Sequence, residues 1–369
     1  MAIKEVIKGS TVLASLYVWT YKFFVRILSF FVKQNPRLVI FSSFSGRQYS
    51  DSPRAIFELL KANPGTRDYE FVWLMNDAST VIEGANVVEF GSLKHTVLLV
   101  KAKFWVSNAS IERFVPIDFL DNVYLNTWHG TPWKVIGPLE KGISPLVRNW
   151  YLNVDFDYLT VNTPYDDELF SEIFPKAKNI MRIGLPRNYE LVTGMQGAPK
   201  LNLDASRQTI LYAPTFRDYQ YDVENSPYLS ETQIGKLAEK YNVLVRTHYN
   251  DDISVDIKSV FDANGVSLNE AFIAADVLIT DYSSLMFDFA ILNKKIITYT
   301  LDYAKYKETR GLFFEVSELP FNNVNSFSEL EILLDKNDNY KSESNGKFLP
   351  YHDVLVGENE ILTIFEGEA

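Results

Sequence analysis

Val123-Tyr124-Leu125-Asn126-Thr127-Trp128-His129-Gly130-Thr131-Pro132-Trp133-Lys134 joins a short apolar run to a loop dense in polar and aromatic groups. Val123-Tyr124-Leu125 reads as a buried parallel strand. Gly130 and Pro132 break regular structure directly after it. A histidine therefore stands where a strand of an α/β sheet delivers its loop, the edge at which such sheets place ligands. The chain has four histidines, His95, His129, His248 and His352. A single loop histidine is more often structural than catalytic, so the case for His129 depends on its surroundings.

Working outward, apolar runs of strand length recur on both sides. Leu38–Phe41, Phe71–Leu74, Val87–Phe90, Phe104–Val106, Tyr158–Val161 and Ile180–Ile183 belong with the first run, and helical patterns such as Ser52–Ala62 and Leu93–Ala102 lie between them. Alternation of strand and helix argues a parallel sheet with helices on both faces. Met195–Lys200 reads as a linker. The pattern restarts at Thr209–Ala213, Val243–Arg246, Val277–Thr280 and Ile296–Tyr299. The expected architecture is α/β: two doubly wound, Rossmann-like domains, 37–194 and 201–369, facing each other across a cleft and preceded by an amphipathic helix over 1–36. Lys336–Lys347 is polar and reads as a surface loop.

A chain of 369 residues can build two full cores. Its formal charge of −11 argues against nucleic-acid binding by the bulk of the protein. With no cysteine, disulfides, thiolate metal sites and thiol catalysis are excluded. The HExxH, EF-hand and Walker A patterns are also missing.

Charge is unevenly placed. Residues 1 to 37 hold Lys4, Lys8, Lys22, Arg26, Lys33 and Arg37 against Glu5 alone, among many aromatic and aliphatic residues. At about 100° per residue the basic positions fall within roughly 60° of one another on a helix. This predicts a helix lying in a membrane interface with its basic stripe toward anionic head groups. A signal peptide fits poorly, because Lys22 and Arg26 interrupt the apolar core. The uncharged run Gly9–Tyr21 is short for a spanning segment. A soluble packing helix is the remaining reading.

The second half places polar groups just after its strands. Tyr212-Ala213-Pro214-Thr215-Phe216-Arg217-Asp218 follows one strand, Arg246-Thr247-His248-Tyr249 ends another, and Thr280-Asp281-Tyr282-Ser283-Ser284 follows a third. Each can face one crevice. Ser283 and Ser284 open a helix whose free N–H groups attract anions, although plain capping accounts for such a turn equally simply. Arg217 and Arg310-Gly311 are candidates to clamp phosphate. A histidine suits the two tasks that phosphoryl transfer to a hydroxyl requires, a base and a positive group near the leaving phosphate.

Together these residues resemble the CDP-glycerol glycerophosphotransferase family of teichoic-acid and capsule synthesis. Ser45–Ile56 is similar to the family's early loop and helix, and Trp128–Lys134 to its Trp-His-Gly-Thr-Pro-x-Lys signature. Further matches are Tyr212–Asp218 with the Ala-Pro-Thr-aromatic-Arg motif, Arg246 and His248 with Arg-x-His, Thr280–Phe289 with Thr-Asp-Tyr-Ser-Ser, and Tyr306–Gly311 with Tyr-x-x-x-Arg-Gly. Asn126 and Trp133 depart from the Gln and Leu common at those places. The resemblance implies a GT-B architecture that needs neither metal nor cofactor. It implies transfer of glycerol phosphate from CDP-glycerol to a hydroxyl of a polyprenyl-diphosphate-linked saccharide or polymer, releasing CMP, by a peripheral protein on the cytoplasmic membrane face. His129 would be the base and His248 a phosphate-stabilising group. Thr215, Arg217, Arg246, Asp281, Ser283, Ser284, Asp288, Arg310 and Gly311 would hold the donor. Gly46, Tyr49, Asp51, Trp128, Gly130, Thr131 and Lys134 would lie on the acceptor side. The anionic membrane surface and a second copy of the chain are further partners in this reading. CDP-ribitol transfer, sugar-nucleotide glycosyl transfer and a non-enzymatic membrane scaffold are the alternatives.

Overall fold

The computed structural model describes residues 8–193, 201–217, 219, 221, 226–246, 259–336 and 357–367. Lys4, the linker at 195–200, Asp218, His248, His352 and the polar stretch from 337 to 347 lie outside the described residues. The chain divides into two compact units. One is Met1–Thr131 with Ile136–Tyr189 and Tyr351–Ala369, and the other is Pro132–Val135 with Glu190–Pro350.

The first unit is built on seven parallel strands: β1 (Asn35–Ser42), β2 (Glu70–Met75), β3 (Asn86–Glu89), β4 (Ala102–Ser107), β5 (Val123–Asn126), β6 (Tyr158–Val161) and β7 (Asn179–Arg182). Their order is β3-β2-β1-β4-β5-β6-β7, so the winding reverses between β1 and β4. Every residue of β4 and β5 is buried, as expected for central strands covered on both faces. In a doubly wound sheet the carboxyl edge at such a reversal is where ligands are expected to bind.

The second unit repeats the plan with six parallel strands: β8 (Thr209–Ala213), β9 (Asn242–Val245), β10 (Val260–Asp262), β11 (Val277–Thr280), β12 (Lys295–Tyr299) and β13 (Asn322–Val324). The order is β10-β9-β8-β11-β12-β13, with the reversal between β8 and β11. Both sheets are doubly wound, and the α/β fold is that expected from the sequence.

Two stretches sit elsewhere than the simple boundaries at 194, 201 and 369 placed them. The helix Glu358–Glu366 belongs to the first unit, where Ile361, Ile364 and Phe365 join the cluster of Phe41, Phe57, Trp73 and Phe104. Phe365 lies 4.8 Å from the Phe104 ring, and its carbonyl accepts from the Tyr69 hydroxyl at 2.6 Å. Its apolar residues at i, i+3 and i+4 form one face that completes a core built mostly from the first half of the chain. The other stretch, Pro132–Val135, is grouped with the second unit.

The N-terminal helix spans Thr11–Ser29, with Ser10 as N-cap, and two cations of the expected basic stripe have partners in the first unit. Lys22 pairs with Asp118 at 2.7 Å, and Arg26 lies 4.6 Å over the Phe119 ring. The Tyr21 hydroxyl meets Thr96 Oγ1 at 3.1 Å. The polar side of the helix is thus partly engaged by the first unit. The exposed side is apolar: Val12, Leu16, Trp19, Phe23, Ile27 and Phe30, spaced three and four apart, with Phe31 beyond the helix end. Among the described residues this is the one helix long and apolar enough to cross a membrane.

Candidate active site

His129 sits where the reversal of the first sheet predicts a ligand crevice. Its loop leaves β5 beside β4, and the turn after β4 holds it. The carbonyl of Asn108 lies 2.8 Å from His129 Nδ1. A carbonyl can only accept, so Nδ1 carries the proton and Nε2 keeps its lone pair. The ring stacks on Trp128, with centroids 4.3 Å apart, and meets Phe44 edge-on at 5.7 Å. Burial lowers the imidazole's pKa below its ordinary value. The Asn108 bond and Asp51 oppose that shift, while Arg187 and Arg47 add to it.

The same turn fixes the loop after β1. The Phe44 N–H donates to Asn108 Oδ1 at 2.7 Å, and the Ser45 hydroxyl donates to the Ser110 carbonyl at 3.2 Å. Phe44, Ser45 and Gly46 all have positive φ, as do Asp51 and Trp128. Non-glycine residues rarely adopt this region, and such clusters mark sites held by their surroundings. Gly46 has a clear reason to be glycine: at φ +83° a Cβ would come 2.8 Å from Phe90 Cβ. Asn126 braces the arrangement by accepting from the Trp128 N–H at 2.9 Å and donating to Ser107 Oγ and the Ala109 carbonyl.

Acidic groups complete this region. Asp51 pairs with Arg187 at 2.6 Å. Thr131 donates to Asp166 Oδ2 at 3.0 Å, and the N–H groups of Asn162 and Thr163 share that oxygen. Burial raises the Asp166 carboxyl to about 7, against those hydrogen bonds. Gly46, Asp51, Trp128, His129, Gly130 and Thr131 therefore share one carboxyl edge. Tyr49 does not join them through its hydroxyl, which donates to Glu58 at 2.6 Å while the ring packs edge-on to Trp73. Asn108, Asp166 and Arg187 are not legible in the sequence as site residues, since a lone Asn, Asp or Arg after a strand carries no distinguishing pattern.

In the second unit a cavity of about 410 Å³ opens at the reversal between β8 and β11. Thr215, Arg246, Ser283, Tyr306 and Arg310 line it, with Lys134 beside them. Thr215 Oγ1 is buried with no protein partner. Arg246 donates through Nη1 to the carbonyls of Ala263 and Val266, at 2.7 and 3.0 Å. Burial lowers its pKa, with Asp262 opposing.

Several residues expected to touch a donor are placed differently. Arg217 is buried in a cage: Nε donates to Asp302 Oδ2 at 2.8 Å, Nη2 pairs with Asp281 Oδ2 at 2.9 Å, and Nη1 donates to the Thr215 carbonyl. Its guanidinium also lies about 5 Å over both Tyr282 and Tyr306. Burial opposes this charge, but Asp281 and Asp302 outweigh it and hold the pKa above the ordinary arginine value. Asp281 is likewise internal, with Oδ1 accepting from the N–H groups of Thr215 and Tyr282. Arg217 and Asp281 are thus engaged with each other and with Thr215, a residue of the cavity lining. Asp288 is buried. The helix after Ser284 has only five residues, Leu285–Phe289, and Ser284 makes no capping bond, so the expected dipole contribution is small. Gly311 ends the helix Tyr303–Arg310 at φ +72°. Lys134, expected on the acceptor side, lines the second unit's cavity. His248 lies outside the described residues.

Comparison with known proteins agrees with this geometry. Residues 23–357 match the family model of CDP-glycerol:poly(glycerophosphate) glycerophosphotransferase. The teichoic acid poly(glycerol phosphate) polymerase of Bacillus spizizenii is 29% identical over 360 residues, covering 90% of this chain and 91% of that one. The teichoic acid glycerol-phosphate transferase of Staphylococcus aureus is 31% identical over 322 residues, covering 78% and 80%. Against the corresponding Staphylococcus epidermidis polymerase the chain is 32% identical but spans only 43% of the relative's length. Among solved structures, a variant of the wall teichoic acid polymerase TagF superposes with a TM-score of 0.77 at 25% identity, over 97% of this chain and 96% of that one. A match of this extent takes in both sheets, the histidine loop and the cavity motifs, and the chain belongs to the CDP-glycerol:poly(glycerophosphate) glycerophosphotransferase family of teichoic acid biosynthesis.

Proposed function

We propose that the protein transfers glycerol phosphate from CDP-glycerol to a hydroxyl of a polyprenyl-diphosphate-linked saccharide or a growing teichoic-acid or capsule polymer, releasing CMP. The observation that carries this reading is the Asn108 carbonyl on His129 Nδ1, which leaves Nε2 as a neutral base. In the reaction, the acceptor hydroxyl oxygen bonds to the glycerol-bearing phosphorus. The bond from that phosphorus to the oxygen bridging to the CMP phosphate breaks, and CMP leaves with the bridging oxygen. The hydroxyl proton passes to His129 Nε2. Thr215, Arg246, Ser283 and Arg310 suit the donor's diphosphate, because guanidinium and hydroxyl groups donate to phosphate oxygens. The TagF structure soaked with CDPG, 25% identical to this chain, supports the choice of donor. The exposed apolar stripe on Thr11–Ser29 supports peripheral attachment to a membrane, and the lipid-linked acceptor and CDP-glycerol donor of this reading place that attachment on the cytoplasmic face.

The test supplies CDP-glycerol, CDP-ribitol and UDP-sugars in turn, with a lipid-linked acceptor, and identifies the released nucleotide. CMP from CDP-glycerol is expected. UDP release without turnover of either CDP-alditol overturns the reading. His129→Ala should lower kcat by roughly 100-fold or more, the scale of lost general-base catalysis, and leave CDP-glycerol affinity unchanged. The lowered histidine pKa keeps the base neutral at pH 7, so kcat should be level there and fall only below the usual imidazole range. A folded His129→Ala protein with near-normal turnover removes this residue from the chemistry.

A further inference from the structure

The second half of the histidine signature belongs to the other sheet's unit. Pro132–Val135 is grouped with the second unit. The Val135 N–H donates to the Gly311 carbonyl at 3.1 Å and the Phe313 N–H to the Trp133 carbonyl at 2.9 Å, and Lys134 bridges Leu312 in antiparallel fashion. Side chains alternate along an extended segment. Trp133 takes the interior: it is 1% exposed, its indole N–H donates to the Phe314 carbonyl at 2.9 Å, and its ring packs on Phe314 and Tyr282. Lys134 is thereby turned the other way and lines the cavity. Gly311 permits the pairing, since a Cβ there would come 3.0 Å from Val135.

The cavity's charge makes this placement informative. Among its described lining residues are Lys134, Arg246 and Arg310, with no carboxylate, in a chain whose net charge is −11. Such a lining is matched to an anionic ligand. Buried Thr215 Oγ1, with no protein partner, adds an unused hydrogen-bonding group on the same wall.

We infer that Lys134 is a phosphate-binding residue of this cavity, holding the diphosphate of a cytidine-diphosphate donor and the phosphate of the CMP that leaves. The inference rests on the donor reading above and deepens it. A lysine ammonium binds phosphate as a point charge with three donors, and a rigid strand-like backbone beneath it limits the freedom lost on binding.

Calorimetry on the full chain tests this with CDP-glycerol, CMP and cytidine as ligands. Lys134→Met should weaken CDP-glycerol and CMP by roughly tenfold or more, the scale of a charge-assisted hydrogen bond, and leave cytidine unchanged. Lys134→Arg should recover most of the loss. Where Lys134→Met lowers the melting temperature, Lys134→Gln replaces it in the same comparison. Unchanged CDP-glycerol affinity in these variants overturns the role of Lys134 alone. Equal weakening of all three ligands also overturns it, since that marks a packing effect. If the unaltered protein binds neither CDP-glycerol nor CMP, the donor reading falls as well.

Discussion

The base proposed here must be neutral to accept a proton from a hydroxyl, and at His129 burial lowers the imidazole's pKa in that direction. The Asn108 carbonyl then chooses which nitrogen is free. Arg217 shows the opposite arrangement, a charge kept wholly internal. Its guanidinium is taken up by Asp281, Asp302 and the Thr215 carbonyl, while Tyr219 and Tyr282 donate to the same Asp302. Burial would raise the Asp302 carboxyl, but Arg217 and Tyr219 outweigh it and hold it below its usual range. Arg217→Ala should therefore act first on folding. Removing one partner of a buried ion pair typically costs about 3–5 kcal/mol. A large fall in the midpoint of urea unfolding is expected, and at temperatures where the variant remains folded its CDP-glycerol affinity should change little. A stable variant that has lost donor binding would restore Arg217 to the ligand shell. His129 was legible in sequence because its loop directly follows a strand and carries Gly130 and Pro132. The role of Arg217 was not, because its partner Asp302 is 85 residues away and an arginine in a motif looks the same whether it faces a ligand or a carboxylate.

Whole elements were legible in proportion to the length of their apolar runs. The seven strands of the first unit each contain an apolar run. In the second unit β10 and β13 escape a periodicity reading: Val260-Phe261-Asp262 is only partly buried, and Asn322-Asn323-Val324 is mostly polar. Both are edge strands, covered less and written in fewer residues. The helix Pro164–Ile173 is better marked, with Pro164 at its first position and a capping box between Thr163 and Asp166. Asp166 meets that cap while fully buried, and burial raises its carboxyl to about 7. A carboxyl raised in the folded state favours folding fully below its unfolded value, and the contribution is lost as pH rises through about 7. Asp166→Asn keeps an oxygen for the shared N–H groups and never ionises. Thermal melts should show little change at pH 5 and a gain of about 2 °C or more at pH 8.5. An equal effect at both values would mean that Asp166 does not titrate in this window.

At the scale of the whole molecule, the N-terminal helix is the element through which we propose the enzyme meets a membrane. Its chemistry divides by side. Lys22 is held by Asp118 and Arg26 by the Phe119 ring, and Val25 and Ala14 are buried against the first unit. Outward lie Trp19, Phe23, Phe30 and Phe31, exposed by 64, 55, 80 and 82%, with Trp19 and Phe23 stacked on each other. Composition alone made the basic residues look like the membrane face, because a stripe of lysine and arginine cannot declare which carboxylates the fold will offer it. With two of those cations occupied, the proposed attachment rests on the aromatic side chains more than on head-group attraction, and binding of that kind scales with buried apolar area. Replacing Trp19, Phe23, Phe30 and Phe31 with Ser should release the protein from both neutral and anionic vesicles in flotation assays. Turnover with a short water-soluble acceptor should persist, and turnover with a lipid-embedded acceptor should fall. Lys22→Gln with Arg26→Gln should leave vesicle binding nearly unchanged. If that pair alone abolishes binding, and only to anionic vesicles, the head-group attraction outlined from the sequence is the true anchor. If the serine variant floats with both vesicle types as before, the apolar stripe serves a protein partner or a second copy of the chain.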